Sequence, residues 1–264
     1  MHLINNIPQV SILMTSYNRE KYIGQAIESV LSSSFEDFEL VIVDDDSKDD
    51  TVKIANEYAS VDSRIIIYKN EHNLGDYKNR NKAAFLARGS YLKYVDADDY
   101  IYPWGLEVMV KSMKKFPYAG WGLCNIGQHL TEIYPICLEP KQAYEWHYGS
   151  MGIFDRSPLS AIIKKEAFEK IGGFSGKRMV GDFEMWHKLA LIYNVVIMPM
   201  GLIWYRKHDE QEMNRYFDFI EDYIDISIAY LSDERCPLDP VVANKIIHAK
   251  KKGKIRQVIK KIFK

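Results

Sequence analysis

The sequence predicts an α/β protein whose mostly parallel sheet is flanked by helices, and three patterns in its first hundred residues lead to that prediction. Short, nearly continuous apolar runs stand at residues 10–15, 38–43, 64–68 and 91–95. Strands covered on both faces have this composition. The runs alternate with segments of helical periodicity, and each run ends in polar residues. Such an alternation is typical of a parallel sheet, so residues 8–100 are predicted to form one unit.

The helix after the first run has the clearest pattern. Its apolar residues recur at the spacing of one buried helical face, and they are Ile23, Ala26, Ile27, Val30 and Leu31. Two further helices are predicted at 51–59 and 76–88. In the second half, helices are predicted at 104–115, 182–193, 212–231 and 240–262, and strands at 119–124, 160–164, 195–199 and 202–206. Residues 125–158 have weak periodicity and scattered aromatic side chains.

The charge balance gives no reason to expect a nucleic-acid partner, because the formal net charge is −1. The charge is unevenly distributed, since nine Lys or Arg residues and no acid follow position 244. Apolar residues are interspersed in this tail: Val241, Val242, Ile246, Ile247, Ile255, Val258, Ile259, Ile262 and Phe263. A basic amphipathic helix suits an anionic membrane surface, and it equally suits docking on the body. Both interpretations stay open.

The cysteines and the N-terminus predict the compartment. Cys124, Cys137 and Cys236 lie far apart and form no CxxC pair, so reduced thiols are expected. No charged segment followed by an apolar one stands at the N-terminus, and no apolar run approaches the roughly 18 residues of a membrane span. We expect a cytoplasmic protein, and we expect any membrane contact that the tail makes to be peripheral, at the inner face of the cytoplasmic membrane.

Polar side chains follow the predicted strands and suggest a binding crevice. They are Thr15, Ser16, Tyr17 and Asn18 after the first strand, Asp44, Asp45, Asp46 and Ser47 after the second, and Asp96, Asp98 and Asp99 after the fourth. Parallel sheets bind ligands beyond the carboxyl ends of their strands, so at least four carboxylates are expected around one crevice. Acids after strands are also ordinary turn formers and caps, which is the interpretation given to Asp49, Asp50 and Asp99.

Carboxylates brought together in this way call for a cation. Two of them about 4 Å apart repel by roughly 4 kcal/mol at an effective dielectric constant near 20. Oxygen ligands without a nearby cysteine or histidine favour Mn²⁺ or Mg²⁺ over zinc. Such an ion characteristically neutralises a diphosphate, so a nucleotide diphosphate is the predicted ligand.

Several stretches occur in an order that identifies a family. They are residues 10–18, 29–31, 39–45, 73–75, 80–81, 87–91 and 96–99, with weaker matches at 172–174, 181–182 and 205–208. In these stretches the chain resembles the inverting glycosyltransferases of family 2, which have the GT-A fold. The resemblance implies a Rossmann-like, mostly parallel sheet flanked by helices. It also implies a catalytic domain at 1–210, with a nucleotide-binding half at 8–100 and an acceptor-binding half at 101–210. A C-terminal helical appendage follows at 211–264.

The resemblance also implies a nucleotide pocket, formed by Thr15, Tyr17, Asp45, Arg80 and Asp96. Tyr17 would stack on the base, and Asp45 would accept a hydrogen bond from it, commonly from uracil. Arg80 would face the base or the diphosphate, and Asp96 would lie near the ribose. The sequence departs from the family pattern at Asp46, where glycine is common.

The metal and the catalytic base are implied in the same way. Asp98 would ligate Mn²⁺ or Mg²⁺ directly, and Asp96 and His208 would complete the site. Inverting transfer needs a base that deprotonates the acceptor hydroxyl, and the resemblance places it at Asp182. Glu184 is the alternative base, because it also lies at the start of the predicted helix. Arg206 is interpreted either as a phosphate contact or as a surface residue.

The expected function is transfer of a hexose or N-acetylhexosamine from a UDP-sugar to a glycan or lipid-linked acceptor, in surface polysaccharide synthesis. A sugar-nucleotide nucleotidyltransferase is an alternative, although residues 10–24 hold only one glycine. A binding-only relative is another. Seven residues of the irregular middle could form an acceptor pocket or pack in the core: Trp121, Tyr144, Trp146, His147, Tyr148, Met151 and Phe154.

Overall fold

The computed structural model of the protein describes residues 7–209 and 212–262, with side chains at all of these positions except 150, 212–214 and 255–262. The strands in this part of the chain are β1 (Val10–Ser16), β2 (Phe38–Asp44), β3 (Ile65–Lys69), β4 (Tyr91–Tyr94), β5 (Tyr100–Ile101), β6 (Trp121–Leu123), β7 (Ile136–Leu138), β8 (Ala161–Lys164), β9 (Val195–Ile197) and β10 (Ile203–Trp204). The helices are α1 (Ile23–Leu31), α2 (Thr51–Ala59), α3 (Asp76–Leu86), α4 (Gly105–Lys115), α5 (Pro140–Trp146), α6 (Lys165–Lys170), α7 (Gly181–Ala190), α8 (Ile220–Leu231) and α9 (Pro240–Ile262).

Eight of the strands form one sheet in the order β3-β2-β1-β4-β8-β6-β9-β7. The first four are parallel to one another, and β8 runs antiparallel to both of its neighbours. Helices separate the parallel strands along the chain, so the α/β prediction is confirmed. β5 and β10 form a separate antiparallel ribbon, which carries the chain after β10 back to the end of β4.

The sheet separates two apolar cores. Successive residues of a strand point to opposite faces, so Leu13 lies in one core and Ile12 and Met14 in the other. Val41 and Leu40 of β2 divide in the same way. All five side chains are buried. Because both faces are covered, most positions in these strands are apolar, which explains the nearly continuous runs in the sequence.

Several elements differ from the sequence prediction, including the short helix α6 and the two-residue strand β5, which the sequence did not indicate. The strand Ile136–Leu138 pairs only with β9 at one edge of the sheet, and its placement depends on that contact rather than on an apolar pattern. The helix Pro140–Trp146 has only 7 residues, too few for a clear helical periodicity in the sequence. It begins with a capping box formed by Glu139 and Gln142. The predicted helix at 212–231 is divided into a 3₁₀ helix, Glu212–Asp218, and α8.

The polar turns after β2 and β4 are hydrogen-bonded to the end of β1. The backbone N–H of Asp45 donates to the carbonyl of Ser16 at 2.8 Å, and that of Ala97 donates to Thr15 at 3.3 Å. These bonds continue the pairing of β1 with β2 and β4 beyond the strand ends. The acidic turns after β2 and β4 are therefore held on either side of the end of β1.

Gly89, before β4, makes a close backbone approach to β1. A Cβ atom there would lie 2.5 Å from the nitrogen of Ser11 and 2.7 Å from the carbonyl carbon of Val10. Gly89→Ala should therefore lower the free energy of unfolding by about 2 kcal/mol, the cost typical of overpacking. Urea denaturation measures this. Gly127→Ala is the control, because a Cβ at Gly127 meets nothing within 4 Å; equal midpoints for the two variants would contradict the prediction.

The two C-terminal helices pack against each other and against the body. Ala243 is buried, Ile246 and Ile247 pack against the core, and Lys254 forms an ion pair with Asp225 at 2.5 Å. The first half of α9 is thus docked on the body. The apolar residues predicted to contact a membrane between 255 and 263 lie outside the described side chains. Within residues 7–209 and 212–262, none of the helices has the length and apolarity to cross a membrane.

Candidate active site

A cavity of about 620 Å³ opens beyond the carboxyl ends of the parallel strands. Six of the predicted site residues line it: Thr15, Tyr17, Asp45, Arg80, Asp96 and Asp98. The other two contact its lining, since His208 lies against Asp98 and Asp182 against Tyr77. The structure therefore brings all eight predicted residues to one place.

Asp45 lies at the base of the cavity and is only 3% exposed. Its Oδ1 accepts hydrogen bonds from Asn70 Nδ2 at 2.6 Å and from the backbone N–H of Leu74 at 2.8 Å. Its Oδ2 accepts one from the backbone N–H of Gly75 at 2.9 Å. A carboxylate has about four acceptor positions, so one remains at Oδ2.

Asp44, next to it, has a different role. Its Oδ2 accepts hydrogen bonds from Ser16 Oγ at 3.0 Å and from Ser47 Oγ at 2.5 Å, and its Oδ1 accepts the backbone N–H of Ser47 at 2.8 Å. These bonds fasten the loop after β2 to the end of β1. Asp44 is a structural residue, and Asp45 is the acid that faces the cavity.

Arg80 and Asp96 form a two-pronged ion pair in the cavity wall. Nη1 and Nη2 of Arg80 lie 2.6 and 2.9 Å from the two Asp96 oxygens, and Nε lies 2.8 Å from Asp76. Burial disfavours the charged guanidinium, but the two carboxylates hold the pKa of Arg80 well above its ordinary value. Both oxygens of Asp96 are thus directed to Arg80, whereas the carboxylate of Asp98 contacts Arg19 and His208.

Asp98 is approached by a guanidinium and an imidazole. Its Oδ2 lies 2.8 Å from Arg19 Nε and 3.1 Å from His208 Nε2. The imidazole packs against the ring of Tyr22, with 4.9 Å between the ring centroids. The predicted repulsion among the strand-end carboxylates is therefore relieved in this arrangement by Arg80 and Arg19.

Asp99 is more than the turn residue that the sequence suggests. It is 2% exposed, and burial together with the charges of Asp96 and Asp98 raises its pKa to about 8. Its Oδ1 accepts the backbone N–H of Arg206 at 3.0 Å, and Arg206 Nε donates to the carbonyl of Asp98 at 2.7 Å. These bonds fasten residues 205–208 to the acidic turn and so position His208.

Asp98 and His208 are the residues suited to hold a divalent cation. In the part of the chain that the structure describes, no group of three or more His, Cys, Asp or Glu side chains is arranged to hold an ion. Protein sites for Mg²⁺ commonly use one or two carboxylates together with substrate phosphates. A carboxylate oxygen and an imidazole nitrogen 3.1 Å apart fit a cation that arrives with a diphosphate.

Asp182 begins helix α7 at the edge of the cavity. Its Oδ1 accepts hydrogen bonds from the Tyr77 hydroxyl at 3.3 Å and from the backbone N–H of Phe183 at 2.7 Å. Burial raises the pKa of Asp182 to about 7, against the lowering effect of these bonds and of Arg80. A carboxylate with that pKa suits proton abstraction near neutral pH.

Glu184, the alternative base, is occupied elsewhere. Its carboxylate accepts hydrogen bonds from Ser175 Oγ and from Lys177 Nζ, the latter at 2.8 Å. Burial favours the neutral form, but these bonds hold the pKa of Glu184 below its ordinary value. Of the two candidate acids, Asp182 is therefore the one whose carboxylate contacts the lining of the cavity.

Comparison with known proteins gives the family. The model of the family described as "Glycosyl transferase family 2" matches residues 11–172, which is more than half of the chain. The chain belongs to glycosyl transferase family 2. The matched region contains the acidic turns after β2 and β4, and it ends before Asp182 and His208.

This glycosyltransferase is similar to an uncharacterized glycosyltransferase of Methanocaldococcus jannaschii. The two are 43% identical over 109 residues, which are 40% of this chain and 38% of the relative. The chain therefore spans well under half the length of that relative.

Two solved structures share the fold of the glycosyltransferase. Residues 1–349 of Staphylococcus aureus TarS in complex with UDP-GlcNAc superpose with a TM-score of 0.70 at 21% identity, over 90% of this chain and 70% of that one. The mannosyltransferase PcManGT of Pyrobaculum calidifontis, in complex with GDP-Man and Mn²⁺, gives a TM-score of 0.71 at 18% identity, over 91% and 70%. At these identities the likeness shows the fold, and it confirms the GT-A prediction.

The departure from the family pattern at Asp46 has a backbone explanation. Asp46 has a φ of 68°, in the left-handed region that glycine adopts most readily and that aspartate tolerates. Its side chain forms an ion pair with Lys48 at 2.6 Å. The loop of this glycosyltransferase therefore keeps the conformation that glycine favours.

The aromatic residues of the irregular middle belong mainly to the core. Trp121, Tyr144 and Phe154 are fully buried, and Trp121 stacks on Trp186 with 5.3 Å between ring centroids. These three side chains therefore pack in the core and do not form an acceptor pocket. His147 and Tyr148 line a second cavity.

Proposed function

We propose that this glycosyltransferase performs an inverting transfer of a hexose or N-acetylhexosamine from a UDP-sugar to a hydroxyl group of a saccharide acceptor. The observation that carries the proposal is the position of Asp182. A carboxyl group with a pKa of about 7 lies against Tyr77, in the lining of a cavity whose other side chains suit a nucleotide. The acceptor hydroxyl and the donor would thus meet beside the base.

The base-binding end of the cavity would be formed by Tyr17 and Asp45. The Tyr17 ring is 45% exposed in the cavity wall and offers a stacking surface. The remaining acceptor position of Asp45 would take an N–H group of the base, as uracil provides. Solved structures of this fold hold UDP-GlcNAc in TarS and GDP-Man in PcManGT, so the choice of a uridine donor is tested directly below.

The diphosphate end would be formed by Asp98, His208 and Arg19. Asp98 and His208 would hold Mn²⁺ or Mg²⁺, which stabilises the negative charge that develops on the leaving diphosphate. Arg19 now contacts Asp98, and its guanidinium is within reach of the same region. Arg80 would keep Asp96 oriented toward the ribose through their paired hydrogen bonds.

The transfer step follows from the position of the base. An Asp182 oxygen takes the proton of the acceptor hydroxyl as that oxygen attacks the anomeric carbon. The bond between the anomeric carbon and the diphosphate oxygen breaks, and its electron pair leaves with the diphosphate. Attack from the face opposite the leaving group inverts the configuration at that carbon.

The donor class can be tested without knowing the acceptor. UDP-glucose, UDP-galactose, UDP-GlcNAc, GDP-mannose and dTDP-glucose are offered in turn with Mn²⁺, Mg²⁺ or EDTA, and calorimetry and slow donor hydrolysis are measured. We expect binding and hydrolysis with a uridine donor and a divalent ion, both lost with EDTA. Binding confined to a guanosine or thymidine donor, or no effect of EDTA, would contradict the proposal.

A further inference from the structure

A second cavity, about 690 Å³ in volume, lies among helices α7, α8 and α9 and the π-helical turn His147–Met151. Several of its walls are aromatic, formed by His147, Tyr148, Phe183, Tyr216 and Tyr223. Small-molecule sites typically have this size and a largely aromatic lining with a few polar groups.

The aromatic rings are held in place by one another. The ring centroids of Phe183 and Tyr223 lie 5.2 Å apart, and so do those of Tyr216 and Tyr223. The Tyr148 hydroxyl lies 2.8 Å from His187 Nε2, and the Tyr223 hydroxyl donates to the carbonyl of Met179 at 2.7 Å. Fixed ring faces of this kind pack against the apolar faces of sugar rings.

Two charged side chains in the lining are left available for a ligand. Lys250 is partly buried, its Nζ lies 5.5 Å from the centroid of the Tyr148 ring, and burial lowers its pKa. Lys250 and Asp155 attract each other, since each charge counteracts the effect of burial on the pKa of the other, but in the described part of the chain the two are not joined by an ion pair. An ammonium and a carboxylate facing one cavity can donate to and accept from the hydroxyl groups of a sugar.

The first turn of α7 separates this cavity from the nucleotide cavity. The Asp182 side chain turns to Tyr77, which lines the nucleotide cavity, while the ring of the next residue, Phe183, lines the second one. The hydrogen bond from Tyr223 to Met179 joins α8 to the segment just before this turn. The residue proposed as the base therefore lies between the two cavities, next to a lining residue of each.

We propose that the second cavity binds a sugar ring of the acceptor, next to the ring whose hydroxyl group loses its proton to Asp182. This inference rests on the proposed function and adds to it that the acceptor has at least two sugar units. Ile220, Ile224 and Ile246 also line the cavity, but an acyl or prenyl chain would exclude water from Lys250 and Asp155 without offering a hydrogen-bonding group to either. A sugar satisfies them.

The test uses a variant that fills the cavity from an exposed position. Ala249 is exposed and lines the cavity, so Ala249→Trp should fill it without disturbing the core. His248→Trp is the matched control, because His248 is exposed on the same helix and is not in the lining. Lys250→Met and Lys251→Met form a second pair on the same reasoning. The probes are the methyl glycosides of glucose, galactose, mannose and N-acetylglucosamine, followed by saturation-transfer NMR.

We expect at least one methyl glycoside to bind the wild type. Ala249→Trp and Lys250→Met should each weaken that binding by about tenfold or more, the usual effect of losing one good pocket contact. The two controls should bind as the wild type does. UDP with Mn²⁺ is measured by calorimetry on every variant and should be unchanged.

The outcomes separate the two proposals. If UDP binds all variants but no methyl glycoside binds the wild type, or if Ala249→Trp binds glycosides as well as His248→Trp does, the sugar site is wrong and the proposed function stands. Binding of decanoate, blocked by Ala249→Trp, in place of every glycoside would also overturn the sugar site. If UDP fails to bind the wild type with Mn²⁺, the proposed function itself is wrong.

Discussion

Asp182→Asn should lower kcat for sugar transfer by about a thousandfold, the effect typical of losing a general base. Asparagine has nearly the same shape and can keep the hydrogen bonds to Tyr77 and to the backbone of Phe183, but it cannot take a proton. The dissociation constant for the donor should therefore stay close to that of the wild type. Transfer rates at saturating donor, together with calorimetry of donor binding, measure the two quantities separately.

The pH dependence gives a second measurement of the same base. Because the base acts when ionised and its pKa is about 7, kcat/KM for the wild type should rise with pH up to about 7 and then level off. Tyr77→Phe removes a hydrogen bond that favours the carboxylate, so it should move that rise to higher pH. If kcat/KM of Tyr77→Phe has the same pH dependence as that of the wild type, Asp182 is not the group whose ionisation controls the rate.

Stability should follow the opposite course. The folded state raises the pKa of Asp182 above its ordinary value of 3.8, so it binds the proton more tightly than the unfolded state does. This contribution to stability is fully present below pH 3.8 and is lost as the pH rises through about 7. Asp182→Asn should therefore be stabilised relative to the wild type at pH 8 and much less so at pH 4.5, as urea denaturation would measure.

Glu184→Gln is the matched control, because Glu184 lies on the same helical turn and pairs with Lys177 instead of facing the nucleotide cavity. The rate of sugar transfer by correctly folded Glu184→Gln should stay close to that of the wild type. If Asp182→Asn keeps most of the activity while Glu184→Gln loses it, the assignment of the base is reversed.

The first half of the fold was predictable because its signals are local. The apolar runs report burial on both faces of the sheet, and their alternation with helical stripes indicates parallel strands joined by helices. The edge strand Ile136–Leu138 was not predictable in this way, since it has only three residues and its pairing with β9 involves residues far away in the chain.

The location of the site was predictable from the sequence, but the hydrogen-bond partners of its residues were not. The strand-end pattern alone places Asp44, Asp45 and Asp98 together, and the family resemblance assigned Asp45 to the base and Asp98 to the metal. The structure adds their partners: serines for Asp44, backbone amides for Asp45, and His208 for Asp98. The last contact joins residues 110 positions apart, and no local pattern in the sequence records it.

Arg19 is the site residue that sequence reasoning missed. It follows the polar end of β1 directly, and its charge opposite the predicted carboxylates was a signal that could have been used. Its ion pair with Asp98 explains how the acidic turn is stable before a cation binds. The strand-end carboxylates were expected to need a metal ion to relieve their repulsion. The side chains of Arg19 and Arg80 already supply positive charge there.

Asp98→Ala should abolish the dependence of donor turnover on Mn²⁺ and lower kcat by about a hundredfold to a thousandfold, the range seen when a group that stabilises developing charge is lost. The physical reason is that Asp98 is the acidic-turn carboxylate that faces His208, whereas both oxygens of Asp96 are held by Arg80. With Asp98 removed, the diphosphate and His208 alone would hold the ion weakly. Binding of Mn²⁺ to the UDP complex, followed by electron paramagnetic resonance, measures this apart from catalysis.

Asp99→Asn tests whether the effect of Asp98→Ala is specific to Asp98 or follows the loss of any carboxyl group in the same turn. Asp99 has a pKa of about 8, so it is largely neutral at pH 7, and asparagine keeps an oxygen for the backbone N–H of Arg206. This variant should keep both Mn²⁺ binding and turnover close to wild type. If Asp98→Ala binds Mn²⁺ normally and Asp99→Asn does not, the cation is held by the buried acid, and the positions of His208 and Arg19 need another explanation. If both variants lose Mn²⁺ equally, the assignment of Asp98 as the single carboxylate ligand of this turn is wrong.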